Sequence, residues 1–214
     1  MRTDADHREP SLKLEELDAT AFSTDLGELV EVYAAAMQVP PVQLPGRRAI
    51  MATHAGYPAF RAFVVTALPD GRSAESTLRA RTTSRIVAFG YGFHGARGQW
   101  WHDMVRSALH LAGGPAAADE WLADSFEVAE LHVHPTHQRQ GIGRRLLCQL
   151  TEGRTERTAV LSTMDSESPA RRLYRSLGFR DLLINYRFSG ADVPYAVMGA
   201  TLPLRCARPA SPRY

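Results

Sequence analysis

The sequence predicts a single α/β domain, and three observations support this prediction. The chain has 214 residues, a length that favours one domain with an adequate core. Segments with the periodicity of strands alternate along the chain with segments that have the periodicity of helices. The clearest pair joins an apolar strand over 126–134 to an amphipathic helix over 141–152 through a short turn that contains glycine.

The first half of the chain predicts a strand, two helices and a hairpin. Thr24 or Asp25 can cap the first helix, and consecutive prolines stop it after Met37. Asp70 and Gly71 mark the hairpin turn, and the polar residues 72–84 can lengthen both of its strands. The predicted elements are a strand over 12–14, helices over 24–37 and 46–54, and strands over 61–68 and 85–93.

The second half predicts two further helices and three short strands around the central strand and its helix. A helix over 99–111 is broken by the Gly-Gly-Pro sequence at 113–115. Ser168 can cap a later helix that has Pro169 at its first position and Gly178 at its C-terminal stop. Strands are predicted over 159–162, 182–188 and 195–204. Residues 1–10 are expected to be disordered and residues 205–214 loose.

Composition and charge exclude several classes of protein. The net charge is only +2, which gives no case for nucleic acid or an anionic membrane as a partner. No apolar run approaches the ~20 residues of a membrane helix, and the first ten residues lack an apolar signal core, so a cytoplasmic location is expected. Cys148 falls inside a predicted helix and is expected to be a small core residue, although a disulfide with Cys206 is left open.

The turn Gln138-x-x-Gly141-x-Gly143 stands where a helix begins, and this position suits a phosphate group. Glycines let the backbone approach a ligand closely. The first amides of a helix have no intrahelical acceptor and lie at the positive end of the helix dipole. Arg139, Arg144 and Arg145 add positive charge. The turn therefore predicts a site for a pyrophosphate, next to a strand that carries the carboxylate of Glu130.

This turn, after a strand that ends in Val133-x-Pro135, resembles the acetyl-CoA loop of the GCN5-related N-acetyltransferase (GNAT) family. The likeness continues downstream, because 158–162 is similar to the family's next strand and 168–179 to its next helix, with the ending Leu-Tyr-x-x-Leu-Gly-Phe. The two motifs make the resemblance specific over 126–188. Residues 11–93 fit only by pattern, and 94–125 have no counterpart and are interpreted as an insertion.

The resemblance implies a fold and an activity. The fold would be an α/β (α+β) domain over 11–204, with a mixed, mostly antiparallel sheet of six to seven strands flanked by helices. The activity would be direct transfer of acetyl from acetyl-CoA to a primary amine in a ternary complex, without a metal. Backbone groups of Leu131, His132 and Val133 would hold the pantetheine arm. The pyrophosphate would lie on the turn residues Gln138, Arg139, Gln140, Gly141, Ile142, Gly143 and Arg144.

Two residues are predicted to be catalytic. Glu130 would accept the proton of the amine, which is mostly charged at neutral pH because alkyl ammonium groups have a pKa of ~10. Tyr174, in the Leu-Tyr motif, would protonate the departing thiolate, as the resemblance implies. Glu127 lies three residues before Glu130 and is expected to face the other side of the sheet. Glu167 stands where many family members carry Asn, which puts side-chain contacts to the cofactor there in doubt.

Two other motifs point to different chemistry. Gly90-Tyr-Gly92-Phe-His-Gly95 satisfies the dinucleotide pattern Gly-x-Gly-x-x-Gly, but the glycines interrupt a strand rather than follow one. His132-x-His134-x-x-His137 resembles a run of metal ligands, but no further His follows it. We interpret the first as strand residues, and the second as one exposed His and one that lines a cleft.

The identity of the acceptor is left open by the sequence. Trp101 and His102 in the insertion, and Tyr33 in the first long helix, are candidates for the acceptor site. The acceptor would be a small-molecule amine or an amine of a peptide or protein, and a homodimer is left open. A non-catalytic CoA-binding sensor of the same fold is the alternative function, although the presence of both Glu130 and Tyr174 argues against it.

Overall fold

A computed structural model describes residues 11–67 and 85–206. Its strands are β1 (Leu12–Leu17), β2 (Arg61–Ala67), β3 (Arg85–His94), β4 (Ser125–Val133), β5 (Thr158–Met164), β6 (Arg180–Tyr186) and β7 (Tyr195–Thr201). Its α-helices are α1 (Ala19–Thr24), α2 (Leu26–Met37), α3 (Leu44–His54), α4 (Trp100–Leu122), α5 (Ile142–Thr151) and α6 (Pro169–Ser176).

Within these residues, seven strands form one sheet in the order β1-β2-β3-β4-β5-β7-β6. Neighbouring strands are antiparallel except for β4 and β5, which are parallel. Helices cover both faces, with α5 and α6 on one side and α1 to α4 on the other. The predicted fold class, a mixed and mostly antiparallel sheet flanked by helices, is confirmed.

The amphipathic pattern of each helix decides which face of the sheet it covers. Leu146, Leu147 and Leu150 of α5 are fully buried against one face. Helix α4, from the insertion, buries Val105 and Leu109 against the opposite face, over β5 and β7. The insertion is therefore a packed helix that contributes its own part of the core, rather than a loop over the sheet.

Strands β4 and β5 separate in the middle of the sheet. Their parallel pairing extends only over Ser125–Glu127 of β4 and Thr158–Val160 of β5. Beyond Glu127, β4 remains paired with β3 on one side. Its other edge has no neighbouring strand in the described part of the chain, and an opening forms between the two strands. The backbone groups along that edge are those that a ligand in extended form could pair with.

An extra residue in β4 changes which side chains share a face. Tyr91 pairs with Glu130 and the next residue, Gly92, pairs with Val128, so Ala129 is a β-bulge. The strict alternation of a strand is broken there, and Glu127 and Glu130 lie on the same face, toward α2 and α3. The prediction that Glu127 faces the other side was wrong, because it assumed uninterrupted alternation.

Most predicted elements are present, with ends that differ by a few residues. Helix α1 was missed, a six-residue helix capped by the Asp18 carboxylate, which accepts from the Ala21 amide. Helix α4 bends at Gly114, which has a φ of 79°, and then resumes, because Pro115 suits the first position of a helix. No helix in the described residues is long and apolar enough to cross a membrane. The predicted disorder of 1–10 and the turn at Asp70 and Gly71 lie outside those residues.

A disulfide joins Cys148 of α5 to Cys206, with a Cα–Cα distance of 5.9 Å. Cys148 packs against the core, as expected, and the pairing that the sequence left open is present. Arg205 and Cys206, the first two residues of the tail that was expected to be loose, contact the domain. Arg205 donates its amide to the Leu177 carbonyl, and Cys206 packs against the core under α5. Residues 207–214 lie outside the described residues.

Two glycines of β3 are required by packing. A Cβ on Gly90 would lie 2.8 Å from a methyl carbon of Leu131. A Cβ on Gly92 would overlap the backbone carbonyl oxygen of Glu127 and the ring of Phe126. Both glycines lie inside a strand rather than in a turn before a helix, so the dinucleotide motif has no structural basis here.

We predict that Gly92→Ala destabilises the protein by about 1–3 kcal/mol, the usual cost of overpacking a core. The added methyl group would press on the bulge, where the backbone cannot move without breaking the β3–β4 pairing. Chemical denaturation measures the free energy of unfolding. Gly46→Ala is the matched control, since a Cβ on Gly46 has nothing within 4 Å, and equal stability of both variants would contradict the prediction.

Candidate active site

Glu130 lies at the centre of the candidate site and is 8% exposed. One carboxylate oxygen accepts a hydrogen bond from Arg47 Nη1 at 2.7 Å, and the other contacts His132 Nε2. Burial alone would raise the pKa of Glu130, but His132 and Arg47 outweigh it and hold that pKa below its usual range. Glu130 is therefore the ionised carboxylate of the site.

Glu127 lies beside Glu130 on the same face and is 4% exposed. Its Oε2 atom has no hydrogen-bond partner among the described residues. Burial, together with the negative charge of Glu130, raises the pKa of Glu127 to about 8. At neutral pH Glu127 is thus mostly protonated, and the two carboxyl groups carry one negative charge between them.

Tyr91 and His54, which the sequence did not single out, also belong to the buried polar cluster around Glu130. The Tyr91 hydroxyl lies 3.0 Å from His54 Nδ1, which links β3 to α3. Burial raises the pKa of Tyr91 and lowers that of His54, so both side chains stay neutral at neutral pH. Arg47 was missed as well, because on the sequence it is one of two adjacent arginines in a helix.

Tyr33, a predicted acceptor-site residue, lies beside His132 and Arg47. Its ring makes an edge-to-face contact with the His132 ring, with 5.1 Å between the centroids. The guanidinium carbon of Arg47 is 4.7 Å from the centre of the Tyr33 ring, within cation–π range. Arg47 therefore contacts an aromatic face as well as the carboxylate of Glu130.

Tyr174 lies on α6, whose N-terminus is capped as predicted by Ser168, the acceptor of the Arg171 amide. Its side chain is buried and packs beside Phe179 in the core under α5. Burial, with a contribution from the charge of Glu130, raises the pKa of Tyr174 to about 12. The phenol is therefore protonated at any pH at which the protein is expected to work.

The glycine turn leaves a set of backbone amides free at the start of α5. Gly141 has a φ of 78°, and a Cβ there would meet nothing within 4 Å. The first hydrogen bond into the helix is from the Arg145 amide to the Gly141 carbonyl. The amides of Ile142, Gly143 and Arg144 therefore have no acceptor within the helix. These residues fit the phosphate site that the sequence predicts.

Two side chains of this turn make hydrogen bonds to other residues of the protein. The Gln138 amide donates to the Val133 carbonyl at 3.0 Å, and Arg144 donates to the Ser176 hydroxyl at 2.6 Å. Ile142 is buried in the core. These residues hold the turn in place, so a contact with a phosphate would come from their backbone rather than from their side chains.

The insertion approaches the opening through one of its two predicted residues. The Trp101 indole donates to the Ser162 hydroxyl at 3.1 Å, in the part of β5 that diverges from β4. His102 is 2% exposed, and its ring nitrogen lies 3.2 Å from the Leu122 carbonyl oxygen. The side chain of His102 is enclosed within the packing of α4, whereas the predicted contact with the acceptor would need it to be accessible.

A cavity of about 510 Å³ lies at the end of the sheet where β2 begins and β3 ends, next to the starts of β4 and β5. Arg61 pairs there with Glu16 at 3.0 Å, and Glu156 pairs with Arg154 and with His94. Most of the charges that line the cavity are therefore paired with one another. The polar cluster around Glu130 is the better candidate for chemistry.

Comparison with known proteins identifies the family. Residues 83–181 match the model of a GNAT acetyltransferase domain. A protein of Mycobacterium tuberculosis named GCN5-like protein acetyltransferase is 35% identical over 190 residues, which cover 84% of this chain and 92% of that protein. The chain therefore belongs to the GNAT family of acetyltransferases. Its enzymatic class is that of an N-acetyltransferase.

Solved structures agree on the fold. The ribosomal-protein-S18-alanine N-acetyltransferase of Escherichia coli superposes with a TM-score of 0.56 at 20% identity, over 95% of this chain and 99% of its own. The PaiA N-acetyltransferase of Thermoplasma acidophilum, solved in complex with coenzyme A, superposes with a TM-score of 0.53 at 11% identity, over 89% of this chain and 99% of its own.

We predict that stability falls with rising pH because of Glu127. A carboxyl group whose pKa is raised on folding binds its proton more tightly in the folded state. Its contribution is complete below its ordinary pKa of 4.5 and is lost as the pH rises to about 8. Each tenfold gain in proton affinity on folding corresponds to about 1.4 kcal/mol of stability. Glu127→Gln mimics the neutral form and should remove this dependence.

The measurement is the free energy of unfolding of wild type and Glu127→Gln between pH 5 and pH 9. The difference between the two proteins should change across that range and level off above pH 8. Parallel curves would mean that Glu127 is ionised in the folded protein.

Proposed function

We propose that the protein transfers an acetyl group from acetyl-CoA directly to a primary amine, in a ternary complex. The observation that carries this proposal is the position of the carboxyl pair where β4 and β5 separate, with Glu127 at the last paired residue and Glu130 beyond it. The free amides of α5 lie at the end of the same strand. A phosphate site and a proton acceptor are thus held by one continuous segment of chain, as acyl transfer to an amine requires.

Acetyl-CoA would be held by backbone groups in two places. The open edge of β4, at Leu131, His132 and Val133, would pair with the amides of the pantetheine arm. The amides from Arg139 to Arg144 would bind the pyrophosphate, with the side chain of Arg139 exposed beside them. Once bound, acetyl-CoA supplies the thioester that the amine attacks.

The carboxyl pair offers two assignments for the proton acceptor. The sequence assigned this role to Glu130, which is ionised but is held by Arg47 and His132 and so has a lowered proton affinity. Glu127 has a pKa of about 8, which is closer to that of an alkyl ammonium group. We propose that Glu130 holds the charged amine and that Glu127 receives the proton, through Glu130 or a water molecule, when Glu127 is in its ionised form, whose population rises as the pH approaches 8.

Tyr174 would assist the departure of the thiolate. A phenol with a pKa of about 12 is a weaker acid than a thiol, whose ordinary pKa is ~8.5. Complete transfer of its proton is therefore unfavourable. The hydroxyl group instead stays protonated and donates a hydrogen bond to the sulfur as negative charge develops there.

The acceptor we propose is an amine of a protein or peptide, in the cytoplasm. The support is the similarity of this chain to the mycobacterial protein acetyltransferase over nearly its whole length. The domain would extend over 11–204. The alternative, a CoA-binding sensor without turnover, predicts that CoA binds but that no free thiol appears with any amine, and a thiol-release assay with a lysine peptide distinguishes the two.

We predict that Gly141→Asp weakens CoA binding by at least about tenfold, since it places a negative charge where the pyrophosphate would lie. Asp tolerates a positive φ better than most residues, and the position is open, so the fold should be retained. Gly141→Asn is the matched control, with the same shape and no charge. Calorimetry that shows equal affinities for the two variants would reject this loop as the phosphate site.

We predict that Glu127→Gln removes an ionisation near pH 8 from the pH dependence of kcat. A base that must be unprotonated makes the rate rise with pH through its pKa, and removal of a general base typically costs ~10²–10⁴ in rate. Glu130→Gln should instead raise KM for the amine, because the anion that holds the ammonium group is lost. The reverse pattern, with the ionisation lost in Glu130→Gln, would restore Glu130 as the base.

A further inference from the structure

We infer that Glu130, Tyr33 and His132 form a binding site for a protonated alkylamine, and that Arg47 occupies this site in the free enzyme. The inference rests on the proposed function for the role of the ligand as acceptor. It adds two statements, that the acceptor binds as a cation, and that a side chain of the enzyme competes with it.

The first support is the set of contacts that the Arg47 head group makes. Its guanidinium donates to Glu130 Oε1 at 2.7 Å and lies 4.7 Å from the centre of the Tyr33 ring. A carboxylate on one side and an aromatic face on the other are the two groups that attract an ammonium ion most strongly. Arg47 thus occupies the position in which a charged amine would be most stable.

The second support is the charge of the surrounding groups. Glu127, Tyr91 and Tyr174 all have pKa values raised by burial and are neutral at pH 7. Glu130 is the ionised carboxylate among the described residues that meet there. One anion in a buried site is balanced by one cation, so the ammonium group and Arg47 compete for the same place.

The third support is the loose attachment of Arg47. A third of its side chain is exposed. Met51 is the buried hydrophobic residue of α3, and the first two turns of the helix are exposed or half-buried. The Arg47 side chain can therefore leave Glu130 and enter solvent without any loss of core packing, whereas His132 and Tyr33 are held by their neighbours.

The class of acceptor follows from this chemistry. A lysine side chain carries its charge on a flexible apolar stem, which can pass the Tyr33 ring and reach Glu130. A guanidinium group would also bind, as Arg47 itself does. Since Arg47 and the acceptor exclude each other, the apparent affinity for the amine is reduced by the fraction of time that Arg47 is away.

The test is the affinity for Nα-acetyl-lysine amide, measured by calorimetry in the presence of CoA, for wild type and Arg47→Ala. If Arg47 occupies the site about nine-tenths of the time, its removal should tighten binding about tenfold. Ethylguanidinium should inhibit Arg47→Ala in competition with the amine, and should have little effect on wild type. Arg48→Ala, one residue along the same exposed helix, should resemble wild type.

Weaker or unchanged binding in Arg47→Ala would overturn the inference, and weaker binding would show that Arg47 positions Glu130. Arg47→Gln, which keeps a polar side chain of similar length, should give the same result as Arg47→Ala, and it decides the matter if Arg47→Ala is unstable. Tighter binding of the amine without any acetyl transfer would support the cation site and reject the proposed function, so the two can fail separately.

Discussion

The candidate site depends on one extra residue in β4. Without the bulge at Ala129, Glu127 and Glu130 would lie on opposite faces of the sheet. The same region is where β4 leaves β5, so the strand is irregular on one edge and unpaired on the other. Both carboxyl groups therefore share a buried face where the two central strands separate.

The electrostatics of the site follow from this geometry. Two carboxyl groups so close together cannot both ionise in a buried place, and they divide the roles. Glu130 keeps its charge because Arg47 and His132 lie beside it, whereas Glu127 has no such partner among the described residues and keeps its proton. One face of a strand thus offers both an anion that can hold a cation and a second carboxyl group whose pKa is raised toward that of an amine.

The fold and the glycine turn at the start of α5 could be predicted from the sequence, because their signals are local. Gly141 at a helix start and Ser168 before a proline each determine structure within a few residues. The acceptor side could not be predicted in the same way. Arg47 and His54 meet Glu130 and Tyr91 only because α3 packs against the sheet, and the bulge at Ala129 leaves no mark in the order of polar and apolar residues.

The packing of the insertion could not be predicted for a similar reason. The position of the insertion before β4 suggested that its residues contact the acceptor, but the apolar face of α4 packs against a second surface, on β5 and β7. His102 is enclosed in that packing, and Trp101 lies at the border of the opening between β4 and β5. A sequence shows that a helix has an apolar face, but not which part of the sheet will cover it.

Because of the disulfide between Cys148 and Cys206, the oxidised and the reduced protein should differ in stability. It closes a loop of 58 residues, and the loss of chain freedom in the unfolded state would favour the folded protein by roughly 4 kcal/mol on the loop-entropy model. The oxidised protein should therefore tolerate heat and proteases better than the reduced one. Preparations made with and without a thiol reductant are best treated as different samples.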